Sequence, residues 1–164
     1  MITPLGFIDT STFTSMFVVK YKERMKDGLL WLRGSPDTVV EIDDASIMKE
    51  WKSARALLQR IKNKVAETTK APAELGRAWI ETLEPHSGTP WSMDPDEHTA
   101  SFVRFRICLL GAPGCWSFSG NQNAQLAVGV VNLIENRVIC SEANFSDYPR
   151  THLIVEVSRP DAGV

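Results

Sequence analysis

The sequence predicts a mainly β domain with helices, in which one helix packs on an antiparallel sandwich, barrel or jelly roll. Three observations carry this expectation. Six strand-like runs (77–83, 101–110, 115–119, 125–133, 136–140 and 150–157) follow one another at short intervals, separated by Pro, Gly, Asn and Ser clusters. Within one of them Val103, Phe105, Ile107 and Leu109 alternate with Arg104, Arg106 and Cys108, the period of two of a strand with unlike faces. Upstream, Ile47, Trp51, Ala54, Leu58, Ile61 and Val65 recur at spacings of three and four, which places them on one stripe of a helix.

Taken in order, the chain opens with a run rich in β-branched and aromatic residues, Phe13 to Tyr21, and a second apolar run, Leu29 to Leu32. Asp27-Gly28 between them is a hairpin signal. Gly34-Ser-Pro-Asp37 marks another turn, leading into Thr38-Val-Val-Glu-Ile42. Asp43 or Asp44 can cap the helix by accepting its unpaired backbone N–H groups, and Ala71-Pro72 marks its end. The basic residues of the helix, Lys49, Lys52, Arg55, Arg60, Lys62 and Lys64, read as a solvated face. One domain spanning 1–164 is expected, with strands and a helix over 1–70 and the β core over 71–160.

Composition excludes several classes. With 43% hydrophobic residues the chain can bury enough apolar surface to offset its ordering entropy, so disorder is not expected. The 18 Lys+Arg against 20 Asp+Glu leave a net charge of −2, without the basic excess of a nucleic-acid binder. No apolar run approaches the length of a membrane span, and the N-terminus lacks the features of a signal peptide, so an intracellular or cytoplasmic setting is expected. Three cysteines without CxxC spacing read as reduced, packed thiols. A GxSxG elbow, a P-loop, a GxGxxG turn and an HExxH motif are all absent.

The C-terminal half carries a more specific pattern. Cys140-Ser-Glu-Ala-Asn144-Phe-Ser146-Asp-Tyr-Pro-Arg150-Thr-His152-Leu153-Ile154 resembles the closing block of the aspartyl/asparaginyl β-hydroxylase-like family. Leu83-Glu-Pro85-His86, Arg104-Phe-Arg106-Ile-Cys108-Leu109 and Pro113-Gly114-Cys115 look like three further segments of it, so the resemblance covers about half the chain. It implies a double-stranded β-helix, a cupin-type jelly roll, and an activity that uses Fe(II), 2-oxoglutarate and O₂ to hydroxylate an aliphatic carbon. Iron needs imidazole or carboxylate ligands with open positions, and the far carboxylate of 2-oxoglutarate needs a buried cation, for which the guanidinium fork is suited.

Residue by residue, the resemblance gives Arg150 the place of the carboxylate-binding arginine, with Arg106, His86 and Asn144 as further cofactor-side candidates. The two iron-ligand positions are degenerate, because Arg106 and Cys140 stand where the family has histidines. A guanidinium does not ligate a divalent cation and repels it. The leading expectation is therefore a diverged, iron-free jelly roll, a pseudoenzyme serving as a binding or structural module, alone or with other protein subunits. Two alternatives stand beside it. One is an active Fe(II)/2-oxoglutarate hydroxylase drawing unusual ligands such as His86 and His98. The other is a metal-free protein binding a small dicarboxylate through Arg106 and Arg150. The direction of the Arg104/Arg106/Cys108 face is left open, and so is the partner of Arg150, either an anion or a buried acid such as Glu156 or Asp147. Trp79, Trp91 and Trp116 are candidates to line a ligand cleft or to pack.

Overall fold

The computed structural model describes residues 2–15, 28–33, 48–93, 101–135 and 137–158, with backbone alone for 48–51. The predicted strand beyond residue 15, the turn at 34–37, the strand at 38–42, the Asp43/Asp44 cap and His98 with its acidic neighbours lie outside the described residues.

In chain order the elements are β1 (Ile2–Phe7), α1 (Ser11–Phe13), β2 (Leu29–Arg33), α2 (Met48–Thr69), β3 (Leu75–Leu83), β4 (Ser87–Gly88), β5 (Phe102–Leu110), β6 (Cys115–Ser119), β7 (Gln122–Ala124), β8 (Val130–Ile134), β9 (Cys140–Asn144) and β10 (Arg150–Ser158). They form a six-stranded sheet in the order β1-β8-β5-β10-β3-β2 and a four-stranded sheet in the order β4-β9-β6-β7. Every ladder is antiparallel. From β3 to β10 the chain alternates between the sheets except at the β6–β7 hairpin, which is the winding of a double-stranded β-helix. The jelly-roll class expected from the sequence is therefore the observed one.

The apolar core lies outside the barrel. Ala54, Leu57, Leu58, Ile61 and Val65 of α2 form one buried cluster with Ala78 and Ile80 of β3, Phe105, Ile107 and Leu109 of β5, Val131 of β8, and Leu153, Val155 and Val157 of β10. Each fully buried aliphatic or aromatic side chain contributes about 1.5–3 kcal/mol of transfer free energy. The helix therefore seals the outer face of the large sheet, and the period of two leaves the alternate residues pointing inward. Of the predicted stripe, Ala54, Leu58, Ile61 and Val65 make the contact, while Ile47 and the Trp51 side chain lie outside the described residues. The helix stops at Thr69; Lys70 then takes a left-handed conformation (φ 55°), just before the Ala71-Pro72 signal. Two of its basic residues are tethers, with Arg60 donating to the Asp9 carbonyl at 3.1 Å and Lys62 pairing with Glu74 at 2.9 Å.

Four sequence expectations need correction. Phe13 closes the helical turn α1 instead of opening a strand; its ring is buried in the core. The run 125–133 is not one strand, because Gly129 sits at φ 77° and donates to the Cys108 carbonyl at 2.9 Å, turning the chain from β7 in one sheet to β8 in the other. A Cβ at Gly129 would stand 2.5 Å from the Phe7 ring and 2.8 Å from the Ile8 carbonyl oxygen, so only glycine fits this corner. The strand expected at 136–140 lies instead at Cys140–Asn144, where a polar sequence hides it. β1 was not anticipated, since Pro4 and Gly6 interrupt its apolar pattern; the register slips there. Among the described residues no helix is long and apolar enough to cross a membrane.

Candidate functional site

Facing strands place the inward residues in layers. On β5, Arg104, Arg106 and Cys108 lie opposite Glu156, Ile154 and His152 of β10. On β9, Cys140, Glu142 and Asn144 lie opposite Ser119, Ser117 and Cys115 of β6. The open question about β5 is thus settled by packing. Its apolar face takes the helix, and its arginine face looks across the barrel to β9.

Glu142 is the centre of this interior. Its carboxylate receives Arg106 Nη1 at 2.7 Å, Ser117 Oγ–H at 2.8 Å, and the Nη1 of Arg150. Arg106 also reaches Glu81 of β3 at 3.2 Å. Burial works against the Arg106 charge, but Glu142 and Glu81 beside it more than offset this and push its pKa above the ordinary value. A second knot lies further along the large sheet. Glu156 accepts Arg77 Nε at 2.7 Å and Nη2 at 2.9 Å, and Arg104 Nη2 at 3.1 Å. Arg104 in turn lies 5.1 Å from the centroid of the Trp79 ring, and Trp79 stacks on Trp31 at 5.0 Å.

A cavity of about 170 Å³ opens over these groups, with Trp79, Glu81, Arg104, Arg106, Cys140 and Glu142 among its walls. Arg150 lies beneath Glu142 and is wholly buried. Its Nε and Nη2, the Nε of Arg106, and Nδ1 of His152 are buried without a hydrogen-bond partner among the described residues. Such orphans inside a polar barrel are places for ordered solvent or a ligand.

The candidate residues separate accordingly. Arg106, Arg150 and Cys140 are brought to the barrel interior, Arg106 and Cys140 as cavity walls. The partner of Arg150 is Glu142, an acid the sequence reading passed over in favour of Glu156 and Asp147. The signal was available, since alternation from Cys140 puts Glu142 on the same face. Asn144 is spent as a staple. Its amide donates to the carbonyls of Leu83, Glu84 and Tyr148, and its Oδ1 accepts from Ser146 and Cys115. His86 stays outside, hydrogen-bonded at 2.9 Å with Asp147 on an exposed turn, so the fold does not unite it with Arg106 and Arg150. Trp91 packs on Phe118 at 5.6 Å.

These residues do not fit an iron centre. Arg106 presents a guanidinium to the two nearest carboxylates, and Cys140 Sγ lies on the backbone carbonyls of Val138 at 3.3 Å and Glu135 at 3.5 Å. Among the described residues no group of three or more His, Cys, Asp or Glu side chains is disposed to hold a metal. Arg150 gives only its Nη1 to Glu142, and its Nε and Nη2 find no hydrogen-bond partner among the described residues. Burial pushes the Cys108 thiol up to about 11, so in the metal-free protein it stays protonated.

His152 makes the interior acid-sensitive. Burial first, then the charges of Arg150 and Arg106, hold its pKa well below the ordinary 6.5. The ring is neutral in the fold, whereas the unfolded chain takes up the proton once pH drops below about 6.5. Stability is therefore intact above that value and is lost on acidification, by up to about 1.4 kcal/mol per pH unit from this residue. Urea midpoints for the parent and His152→Phe between pH 7.5 and 5 are expected to diverge, the variant having the flatter dependence. Parallel curves would refute the assignment.

No family model and no curated protein matches the sequence. Solved structures do match in fold. An oxidoreductase of the 2OG-Fe(II) oxygenase family from Burkholderia pseudomallei superposes with a TM-score of 0.61 at 14% identity, over 79% of this chain and 66% of that one. A viral collagen prolyl hydroxylase from Paramecium Bursaria Chlorella virus-1, solved with 2OG, gives 0.67 at 6% identity over 96% and 95%. A non-heme alpha ketoglutarate dependent epimerase from nogalamycin biosynthesis gives 0.65 at 14% identity over 99% and 80%. With these identities the likeness carries architecture alone. The chain has the double-stranded β-helix fold of the 2OG-Fe(II) oxygenases.

Proposed function

We propose that this chain is a diverged aspartyl/asparaginyl β-hydroxylase-like jelly roll that has given up iron and works as a binding or structural module, alone or within a larger assembly. One observation carries the reading. Arg106 occupies the first iron-ligand position of the resemblance and spends its charge on Glu81 and Glu142, the carboxylates nearest the cavity. A divalent ion there would have to displace a buried guanidinium from two carboxylates and then sit beside it, against a Coulomb repulsion that low dielectric strengthens. The cavity over Trp79 and Arg104 is the face on which such a module would take a small polar ligand.

Calorimetric titration with 2-oxoglutarate, with and without Fe(II), tests the proposal. No iron-dependent binding is expected, and elemental analysis of the purified protein is expected to find no stoichiometric transition metal. Tight 2-oxoglutarate binding that appears only with Fe(II) would overturn the reading in favour of an oxygenase.

A further inference from the structure

The environment of Glu142 is that of a bound ligand. Two guanidiniums and a hydroxyl converge on one carboxylate from three different strands, β5, β10 and β6. The Glu142 side chain stands between Arg150, which is wholly buried, and the cavity, one wall of which Glu142 forms. Beside it, Arg150 Nε and Nη2 and Arg106 Nε keep donor capacity that nothing among the described residues uses. A cationic seat with more donors than its resident can occupy, next to a cavity, is suited to a carboxylate of about the same size.

We propose that the barrel contains a small-carboxylate site formed by Arg106, Arg150 and Ser117, and that Glu142 fills it as a built-in occupant. This rests on the metal-free reading, since an iron in the cavity would claim Glu142 for itself. In the native chain the side chain outcompetes free monocarboxylates, because its attachment gives it a high effective concentration and it has no translational freedom to lose. Removing it frees the seat. Truncation at Cβ deletes a CH₂–COO⁻ group, and acetate replaces those atoms one for one, restoring both the charge and the acceptors.

The test is the melting temperature of Glu142→Ala in sodium acetate, sodium chloride and acetamide at pH 7.5, with chelator present and ionic strength held equal. The variant is expected to melt below the parent in chloride and to gain about 8 °C when acetate reaches roughly a hundred times its Kd. Acetamide, which lacks the charge, is expected to leave it unchanged, and chloride, a single atom that cannot replace two carboxylate oxygens, to raise it by much less than acetate. The parent is expected to melt alike in all three. Should Glu142→Ala be too unstable to purify, Arg106→Met/Glu142→Ala removes one of the two stranded charges and leaves Arg150 as the seat, with the same acetate-specific gain expected. Equal shifts in acetate and chloride, an acetate shift of the same size in the parent, or failure of both variants to fold in acetate would overturn the proposal. Iron-dependent 2-oxoglutarate binding by the parent would instead remove the metal-free reading beneath it, so the two failures are distinguishable.

Discussion

Replacing Glu156 by alanine is expected to cost the fold about 3–5 kcal/mol, the usual penalty for stripping one partner from a buried ion pair. The carboxylate is wholly buried and accepts N–H bonds from Arg77 in a fork and from Arg104. Without it Arg77 and Arg104 lose the carboxylate they share at a buried position. The loss is chiefly the cost of keeping two buried cations without this carboxylate, and the attraction forgone is the lesser part. This separates two variants. Glu156→Gln keeps the volume and one acceptor but not the charge, and its cost is expected to fall below that of Glu156→Ala. Double replacement by Glu156→Leu and Arg77→Met, which removes a cation with the anion, is expected to recover part of the stability lost in Glu156→Ala. Urea denaturation at pH 7.5 measures all three. A loss under about 1 kcal/mol for Glu156→Ala would mean that solvent reaches this knot.

The polar barrel explains what the sequence made visible. Periodicity exposed the helix and β5, because both have one apolar face and one polar face; the stripe at Leu58 and Ile61 and the alternation at Val103 to Leu109 are the two sides of the same core. The same periodicity could not decide which face of β5 looks into the barrel. The rule that the apolar set faces the opposing sheet assumes an apolar sandwich interior. Here the interior holds arginines, glutamates and serines, and the apolar layer has moved to the outer face beneath α2. β9 was missed for the same reason. Cys-Ser-Glu-Ala-Asn has no hydrophobic alternation to detect, since its inward positions carry a thiol, a carboxylate and an amide. The C-terminal block was legible as a motif, and Arg150 with it. Its partner Glu142 was not, because a pairing across strands leaves no spacing signal except shared parity along the strand.

Phe105→Ala is the complementary experiment, expected to cost about 3–5 kcal/mol through lost transfer free energy and the cavity left behind. Phe105 is 1% exposed and belongs to the cluster that joins β5 to α2 and β10. It follows Arg104 and precedes Arg106, so its deletion strikes the outer face of the strand whose inner face carries the charge network. If the fold is held chiefly by that outer layer, the variant is expected to weaken the grip of the helix along with global stability, and amide exchange in α2 is expected to accelerate with the rest of the core. Phe145, 66% exposed at the end of β9, supplies the control, and Phe145→Ala is expected to stay within about 0.5 kcal/mol. A small effect at Phe105 would place the stabilising contacts inside the barrel. A large one means that the interior need not be apolar to keep the protein folded, and a lost metal site could then be refilled with arginine and glutamate while the architecture around it stayed intact.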